Sequence, residues 1–382
     1  MPVSRRNFLK TLSAGAAVGM GAATPAAAMQ KFLLMEPPRP PRRMLNAPIL
    51  LNSNENAYGP PPKVLDAMRD SMYLANRYPD RDYERLTEAI TARHKVNSDQ
   101  VILGCGSTEI LRMAGDAFTT DQTRLVVASP TFEAIARYSE TGGTPVVRVA
   151  LDRDYAHDLE GMLRAGGDQA GLFYICNPNN PTASITPRKR IEAFLGRIPS
   201  NSRVLIDEAY HHFAAGPPGD YVSFLDRPAG DDRVIVARTF SKIYGLAGMR
   251  LGYAVSTPAN IARMKPYQLY DNINILAARG GMAGLDDDTG TQVSVQRNAA
   301  DRREFITQAR ARKLSVIPSH ANFVMMETGI PIETLIGYFE SKFIHIGRPF
   351  PPMNTFARIS LGLPGEMQTF WKTWDAMAGN RG

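Results

Sequence analysis

The stretch of sequence that decides the fold is VIVARTFSKIYGLAGMRLGY, residues 234–253. It opens with a short continuous apolar run and continues into hydroxyls, a lysine and several glycines. Continuous apolar runs are typical of strands in a sheet that helices cover on both faces. In such sheets the functional residues lie beyond the carboxyl ends of the strands. We therefore expect the polar part of this stretch to lie at a functional edge.

Other apolar runs extend the same pattern toward the N-terminus. They are short, and most are separated by segments with the periodicity of amphipathic helices: 101–103, 125–127, 146–150, 172–175 and 204–206. From about residue 293 the pattern changes to a long polar helix, then strands near 322–327 and 355–361 and helices near 331–341 and 365–377. The sequence predicts an α/β fold, with a mostly parallel central sheet in a large domain and a smaller α+β domain.

These patterns also suggest where the domains begin and end. A targeting segment covers residues 1–28, and an N-terminal arm covers 29–60. The large domain is predicted over 61–285 and the small C-terminal domain over 286–382. Two helical patterns near 62–75 and 82–95 belong to the large domain or join the smaller one.

Composition excludes several classes of protein. The 382 residues are 44% hydrophobic, which argues against disorder, and no run beyond the first thirty residues is long enough for stable membrane insertion. Cys105 and Cys176 are too few for a disulfide framework, and no Cys/His spacing predicts a metal site. The net charge is +7, or +4 without residues 1–28, and it forms no basic stripe, so we expect no nucleic-acid binding.

The N-terminus carries a candidate export signal. Arg5 and Arg6 precede Phe8-Leu9, a weakly apolar run follows, and the segment ends in Ala26-Ala27-Ala28. This resembles a twin-arginine signal with a peptidase site after Ala28. The resemblance implies contact with the twin-arginine translocation machinery and a periplasmic location. A short amphipathic N-terminal helix is the alternative.

Other predicted strand ends carry residues that could bind a ligand or take part in catalysis. A glycine-bearing turn leads into Ser107-Thr108, where a helix terminus could bind phosphate. A proline-locked turn presents Asn180, and Asp207 ends a strand three residues before Tyr210. Each of these features alone is as typical of a helix cap or an ordinary turn.

The segment around Lys242 indicates one function for all of these strand ends. Residues 241–253 match the motif S-K-x-x-G-L-x-G-x-R-x-G-Y at every fixed position. With the Asn-Pro-Thr turn and the Asp-x-Ala-Tyr segment upstream, the chain resembles the class I/II aminotransferases, which are fold-type I enzymes that use pyridoxal 5'-phosphate (PLP). It is most similar to the histidinol-phosphate aminotransferases, from about Leu51 to the C-terminal helix.

The resemblance implies how the cofactor is held. Lys242 binds PLP covalently through its amine and serves as the catalytic base. Asp207 pairs with the pyridine nitrogen, and Tyr210 and Asn180 hydrogen-bond the phenolic oxygen. Phe132 stacks on the ring, with a core phenylalanine as the alternative. The phosphate is bound by residues that offer hydroxyls, backbone N–H groups or a guanidinium: Ser107, Thr108, Thr239, Ser241 and Arg250.

The same resemblance implies the substrate contacts and the assembly. Arg358, in the segment Phe356 to Gly362, binds the substrate carboxylate through two parallel hydrogen bonds. Tyr58 lies on the substrate side and covers the site. Arg348 is a candidate for the distal group of the substrate, or a solvated loop arginine. Tyr78 crosses a dimer interface to the cofactor phosphate of the partner, which implies a homodimer.

Two positions depart from the family. Ala183 stands where the family usually has glycine, so we expect the backbone there to avoid positive φ. Residues 349–357 differ from the histidinol-phosphate enzymes at the place where the far end of the substrate is read.

The reaction implied is transfer of an amino group between an L-amino acid, aromatic or otherwise bulky, and a 2-oxo acid. A PLP-dependent decarboxylase or carbon–sulfur lyase uses the same apparatus and is the alternative.

Overall fold

A seven-stranded sheet is the largest sheet of the computed structural model, which describes residues 47–214, 220–225 and 231–379. Its strands, in chain order, are β2 Val101–Cys105, β3 Arg124–Ser129, β4 Val146–Ala150, β5 Ala170–Cys176, β6 Arg203–Asp207, β7 Val234–Thr239 and β8 Leu251–Val255. Their spatial order is β2-β8-β7-β6-β5-β3-β4. Only β8 runs antiparallel to its two neighbours. The α/β fold with a mostly parallel sheet is confirmed.

Each continuous apolar strand contributes side chains to two separate cores, because successive side chains point to opposite faces of a sheet. In β5, Phe173 and Ile175 belong to one core cluster, and Leu172 and Tyr174 belong to the other. All four are fully buried, so helices cover both faces. This is why the run shows no alternation of apolar and polar residues.

The helices alternate with the strands along the chain between residues 101 and 214. They are α1 Pro62–Asp70, α2 Asp80–His94, α3 Ser107–Phe118, α4 Ala134–Thr141, α5 Leu159–Gly166, α6 Arg188–Leu195, α7 His211–Ala214, α8 Pro258–Met264, α9 Ile275–Leu285, α10 Asp288–Ala311, α11 Ile332–Glu340 and α12 Pro364–Gly379. Helices α1 and α2 pack on α9. None of the helices within the described ranges combines the length and apolarity needed to cross a membrane.

Two smaller sheets and a third apolar core follow. Strands β9 Ser315–Val316, β10 Phe323–Glu327 and β12 Phe356–Ser360 form an antiparallel sheet in the order β12-β10-β9. Strand β1 Ile49–Leu51 pairs in parallel with β11 Ile344–Ile346, so the end of the N-terminal arm joins residues from the far end of the chain. Their core gathers Phe305, Phe339 and Phe370 from α10, α11 and α12.

Several sequence predictions differ from the structure in detail. Strand β8 was missed because its short run contains Gly252 and lies inside the lysine motif. Helix α10 begins at Asp288, before residue 293. The boundary between the domains at residue 286 stays a prediction. The targeting segment 1–28 and the arm up to residue 46 lie outside the described residues.

Ala183 corrects another expectation. Its φ is +58°, so the prediction that this backbone avoids positive φ is wrong. The left-handed conformation costs a non-glycine residue about 1–2 kcal/mol. Hydrogen bonds offset that cost, because Ala183 N donates to Asn179 O at 2.8 Å and Ala183 O accepts from His320 N at 2.8 Å. The Ala183 side chain is also fully buried, so it contributes to the core while its backbone forms the turn.

Candidate active site

A cavity of about 850 Å³ lies at the carboxyl ends of the parallel strands. The structure brings together there every site residue predicted from the sequence except Tyr58 and Tyr78. Those lining the cavity are Ser107, Thr108, Phe132, Asn180, Asp207, Tyr210, Thr239, Ser241, Lys242, Arg250, Arg348 and Arg358.

Lys242 follows β7, and its amine points into a polar part of the cavity. Nζ donates hydrogen bonds to the carbonyl oxygens of Ser53 at 3.2 Å and Asn54 at 3.0 Å. Burial lowers the pKa of this amine to about 8, and the positive charge of Arg358 acts in the same direction. A minor neutral fraction therefore exists near neutral pH and grows as the pH rises toward 8, and the neutral amine is the form that attacks a carbonyl or takes a proton.

Asp207 is the last residue of β6, beside Cys176 at the end of β5. Its Oδ2 accepts a hydrogen bond from the Tyr174 hydroxyl at 2.8 Å, and its Oδ1 accepts one from Ala209 N at 3.0 Å. Burial raises the pKa of this carboxyl to about 6, although both hydrogen bonds lower it. A buried carboxylate of this kind is stabilised by a cation placed against it.

Arg358 lies on β12 and reaches the same cavity. Its Nη1 donates to Asn180 Oδ1 at 2.7 Å, and its Nη2 donates to the carbonyl of Asn52. Burial lowers the pKa of the guanidinium to about 10. Its Nε has no hydrogen-bond partner among the described residues. A buried cation without a carboxylate partner suits an anionic ligand.

Tyr210 lies beside the lysine and is also held by a local hydrogen bond. Its hydroxyl accepts from Asn54 Nδ2 at 3.1 Å, and the Lys242 Nζ lies 5.6 Å from the centre of its ring. Burial raises the pKa of this phenol above its ordinary value. Tyr210 therefore stays protonated and can donate a hydrogen bond to an oxygen in the cavity.

An anion cradle forms where β2 leads into α3. Gly106 precedes the helix with φ +73°, and a Cβ at that position would collide with the Arg250 guanidinium. A Cβ on Gly252 of β8 would collide with the backbone N of Ser107. Both glycines therefore let the helix N-terminus, Arg250 and the β8 backbone approach closely, and a helix N-terminus with free N–H groups binds phosphate.

Hydroxyl groups extend the cradle from β7. Thr239 Oγ1 donates to Ser241 Oγ at 3.0 Å and accepts from Ser241 N at 3.1 Å. Together with Ser107, Thr108 and Arg250 they offer a set of donors that could bind a phosphate. A phosphate cradle, a buried carboxylate, an amine of lowered pKa and the Phe132 ring lining one cavity fit pyridoxal phosphate.

The cavity is also lined by Phe350, Ile336, Ile346, Glu340, His345 and Arg348. The Arg348 guanidinium lies 4.3 Å from the centre of the Phe350 ring. Phe350, Ile336 and Ile346 are apolar, whereas the ionisable side chains of Glu340, His345 and Arg348 are partly exposed.

Tyr58 and Tyr78 lie outside the cavity. The Tyr58 hydroxyl donates to Asp301 at 3.0 Å, in a small separate pocket. Burial and the charge of Asp301 raise the pKa of this phenol. Tyr78 is 76% exposed and contributes nothing to the cavity of its own chain.

Sequence reasoning missed several residues that support the site. Tyr174 reads as one more apolar position of a buried strand, and Asn54 lies in a polar segment before the first helix. Both make their contacts over more than thirty residues of chain, so no local spacing signals them. Among the described residues, no cluster of His, Cys, Asp and Glu could hold a metal ion.

The fold and the cavity together define a PLP-dependent enzyme of fold type I. A family model described as "Aminotransferase class I and II" matches residues 46–367. The chain belongs to this family.

Individual relatives agree with the family match. The histidinol-phosphate aminotransferase of Shouchella clausii is 33% identical over 327 residues, covering 85% of this chain and 88% of that protein. The aromatic amino acid aminotransferase of Rhodococcus jostii is 33% identical over 325 residues, covering 84% and 88%. The structure of histidinol-phosphate aminotransferase from Sinorhizobium meliloti in complex with pyridoxal-5'-phosphate gives a TM-score of 0.80 at 26% identity, covering 93% of this chain and 97% of that one. The protein is a PLP-dependent transaminase.

Proposed function

We propose that this enzyme transaminates L-amino acids with bulky, above all aromatic, side chains, and that Lys242 holds the cofactor through its amine. PLP, when bound, supplies the electron sink for bonds at the amino-acid α-carbon. Asp207 keeps the pyridine nitrogen protonated, and Phe132 stacks on the ring. The phosphate is bound by Ser107, Thr108, Thr239, Ser241 and Arg250.

The proton transfers fall to groups whose pKa values suit them. Lys242 Nζ, with its pKa near 8, would take the proton from the substrate α-carbon and pass it to the cofactor. Tyr210 donates a hydrogen bond to the phenolic oxygen of the cofactor. Asn180 joins it through its amide Nδ2, since its Oδ1 accepts from Arg358.

One observation carries the substrate proposal: a buried arginine faces an apolar wall in the same cavity. Arg358, only 8% exposed, binds the α-carboxylate that every amino acid has. Phe350, Ile336 and Ile346 offer their surfaces to a large uncharged side chain. Arg348 lies at the rim, where the distal end of that side chain arrives. The Rhodococcus jostii relative that carries the name aromatic amino acid aminotransferase supports this choice.

A half-reaction screen tests the substrate. The purified PLP form is mixed with each amino acid in turn, and loss of its visible absorbance is followed. We expect the aromatic and large aliphatic amino acids to react fastest and aspartate among the slowest. Equal rates for aspartate and phenylalanine would contradict the proposal. A decarboxylase or lyase would release carbon dioxide or sulfide without consuming a 2-oxo acid.

A homodimer is the second part of the proposal. Exposed apolar side chains support it, because Met72, Tyr73 and Tyr78 are 57%, 77% and 76% exposed and Tyr270 is 98% exposed. In the dimer Tyr78 binds the cofactor phosphate of the partner. Light scattering tests the assembly, and Tyr78→Phe should weaken PLP retention by about 0.5 to 3 kcal/mol, as for one lost hydrogen bond to a charged group. A fully active monomer would contradict it.

Export by the twin-arginine pathway is the third part. The Arg5-Arg6 pair, the following apolar run and the Ala26-Ala27-Ala28 tripeptide support it. Twin-arginine transport carries folded proteins, which suits an enzyme that takes up a cytoplasmic cofactor first. A periplasmic location favours free amino acids as substrates over a biosynthetic phosphate ester.

A further inference from the structure

Glu133 forms an ion pair with Arg348 at the mouth of the cavity. The Arg348 Nη2 lies 2.8 Å from Glu133 Oε2. Glu133 is the residue that precedes α4, and it directly follows Phe132, which lines the cavity. The pair therefore joins the cofactor end of the site to the loop that carries Arg348, across 215 residues of chain.

Both terminal nitrogens of Arg348 already have partners. Nη1 donates to the carbonyl of Pro349 at 2.8 Å, and Nη2 donates to Glu133. The guanidinium carbon lies over the Phe350 ring. A bidentate grip on a carboxylate or phosphate needs both terminal donors or one of them with Nε. The bonds to Pro349 and Glu133 use two of the five guanidinium N–H groups, and Glu133 already pairs Arg348 with one carboxylate, so a second anion is bound less strongly than by an unpaired arginine.

The charges around Arg348 do not favour an anion either. Glu340 lines the same end of the cavity, and its carboxylate lies 3.9 Å from His345 Nδ1. Glu133 also accepts a hydrogen bond from Arg137 at 2.9 Å, but that arginine is 71% exposed and solvent screens its charge. Glu133 thus compensates part of the positive charge of Arg348.

We propose that Glu133 is a positioning residue that sets side-chain specificity: by holding Arg348, it makes the distal end of the cavity prefer uncharged side chains to anionic ones. The inference rests on the proposed placement of the substrate, with its α-carboxylate on Arg358 and its side chain toward Arg348. It adds a second determinant to the apolar wall. It also accounts for a guanidinium at this end of a site that takes uncharged substrates.

The first test compares substrates that differ only in charge. Glutamate and glutamine have nearly the same shape, so the ratio of their kcat/KM values measures discrimination by charge. In Glu133→Gln this ratio should rise about twofold to fivefold, the range of an exposed ion pair. Glu140→Gln is the matched control, because Glu140 lies on α4 and pairs with Arg148 away from the cavity. Its ratio should equal that of the unmutated enzyme.

A double variant shows whether Glu133 acts through Arg348. In an Arg348→Gln background, Glu133→Gln should leave the glutamate to glutamine ratio unchanged. A rise of the same size in that background would show that Glu133 acts as a general negative charge, and it would overturn the proposal. An unchanged ratio in the single variant would do the same. Glu133→Ala gives the same comparison should the glutamine variant not fold.

A second readout does not depend on turnover. Glutarate and its monoamide differ by one charge at one end, and their dissociation constants from the PLP-loaded protein can be measured by calorimetry. Glu133→Gln should tighten glutarate about twofold to fivefold relative to the monoamide. Equal changes for the two ligands would overturn the inference even when transamination proceeds normally. An unmutated enzyme inert toward every bulky amino acid would contradict the proposed function, while this binding comparison would still judge Glu133.

Discussion

The Tyr174 hydroxyl donates a 2.8 Å hydrogen bond to Asp207 Oδ2, between neighbouring strands of the central sheet. Both side chains are buried, at 0% and 2% exposure. The bond favours the ionised carboxylate and so opposes the effect of burial on the pKa of Asp207. Tyr174 therefore tunes the residue that is proposed to hold the cofactor ring nitrogen.

Replacement of Tyr174 by phenylalanine should weaken PLP binding. The lost hydrogen bond raises the pKa of Asp207 further, so less of the carboxylate is ionised near neutral pH. A hydrogen bond to a charged group is worth about 1.5 kcal/mol or more, which predicts about a tenfold loss of affinity. The dissociation constant of PLP between pH 6 and 9 measures it, and the loss should be greatest at the acid end. Tyr338→Phe, whose hydroxyl binds a backbone carbonyl elsewhere, is the control.

Asp207→Asn should stabilise the apoprotein while it impairs cofactor binding. The pKa of Asp207 is about 6 when folded against an ordinary 3.8, so its contribution to stability is complete below pH 3.8 and is lost as the pH rises through 6. At pH 8 the buried charge costs up to about 3 kcal/mol. Urea unfolding of the two apoproteins at pH 8 and pH 4 checks this. An advantage for the variant that did not shrink at pH 4 would contradict the assignment.

The sequence predicted the site residues correctly where the prediction depended only on neighbouring residues. Asp207 directly follows one continuous apolar run and Lys242 follows another after a short polar stretch, so both were expected at one edge of a parallel sheet, where they lie. Partners at long range could not be predicted, because the Glu133–Arg348 and Tyr174–Asp207 pairs depend on how distant segments fold together. The prediction for Ala183 was wrong for another reason: the hydrogen bonds of a buried turn outweigh the preference of a non-glycine residue for negative φ.

Lys242→Ala should abolish turnover and the visible absorbance of bound PLP. The reason is that its amine is the covalent anchor proposed for the cofactor and also the base. Borohydride reduction followed by mass spectrometry should find no cofactor-modified peptide. Lys63→Ala removes an exposed lysine paired with Asp286 and should retain full labelling. Labelling of another lysine with full activity in the Lys242 variant would refute the role.

Changing Arg5 and Arg6 together to lysine should leave an active enzyme in the cytoplasm. The twin-arginine receptor reads guanidinium groups, which an ammonium does not reproduce. Activity is measured in periplasmic and cytoplasmic fractions of cells producing each form. Periplasmic activity at the unmutated level in the lysine variant would contradict the signal.

Arg358→Lys should slow every amino acid by a similar factor, whereas Arg348→Ala should change their ranking. Lysine keeps the charge of Arg358 but cannot span both Asn180 and a carboxylate, because it lacks the planar fork. Breaking a buried, hydrogen-bonded charge site costs about 2–5 kcal/mol, so kcat/KM should fall at least about thirtyfold for alanine and phenylalanine alike.

Arg348, 47% exposed at the rim, should matter only for side chains that reach it. Its replacement should leave alanine within about twofold, as expected when an exposed ion pair is lost. A uniform loss across the series in Arg348→Ala would assign that arginine to structure, and a selective loss in Arg358→Lys would move the α-carboxylate elsewhere in the cavity.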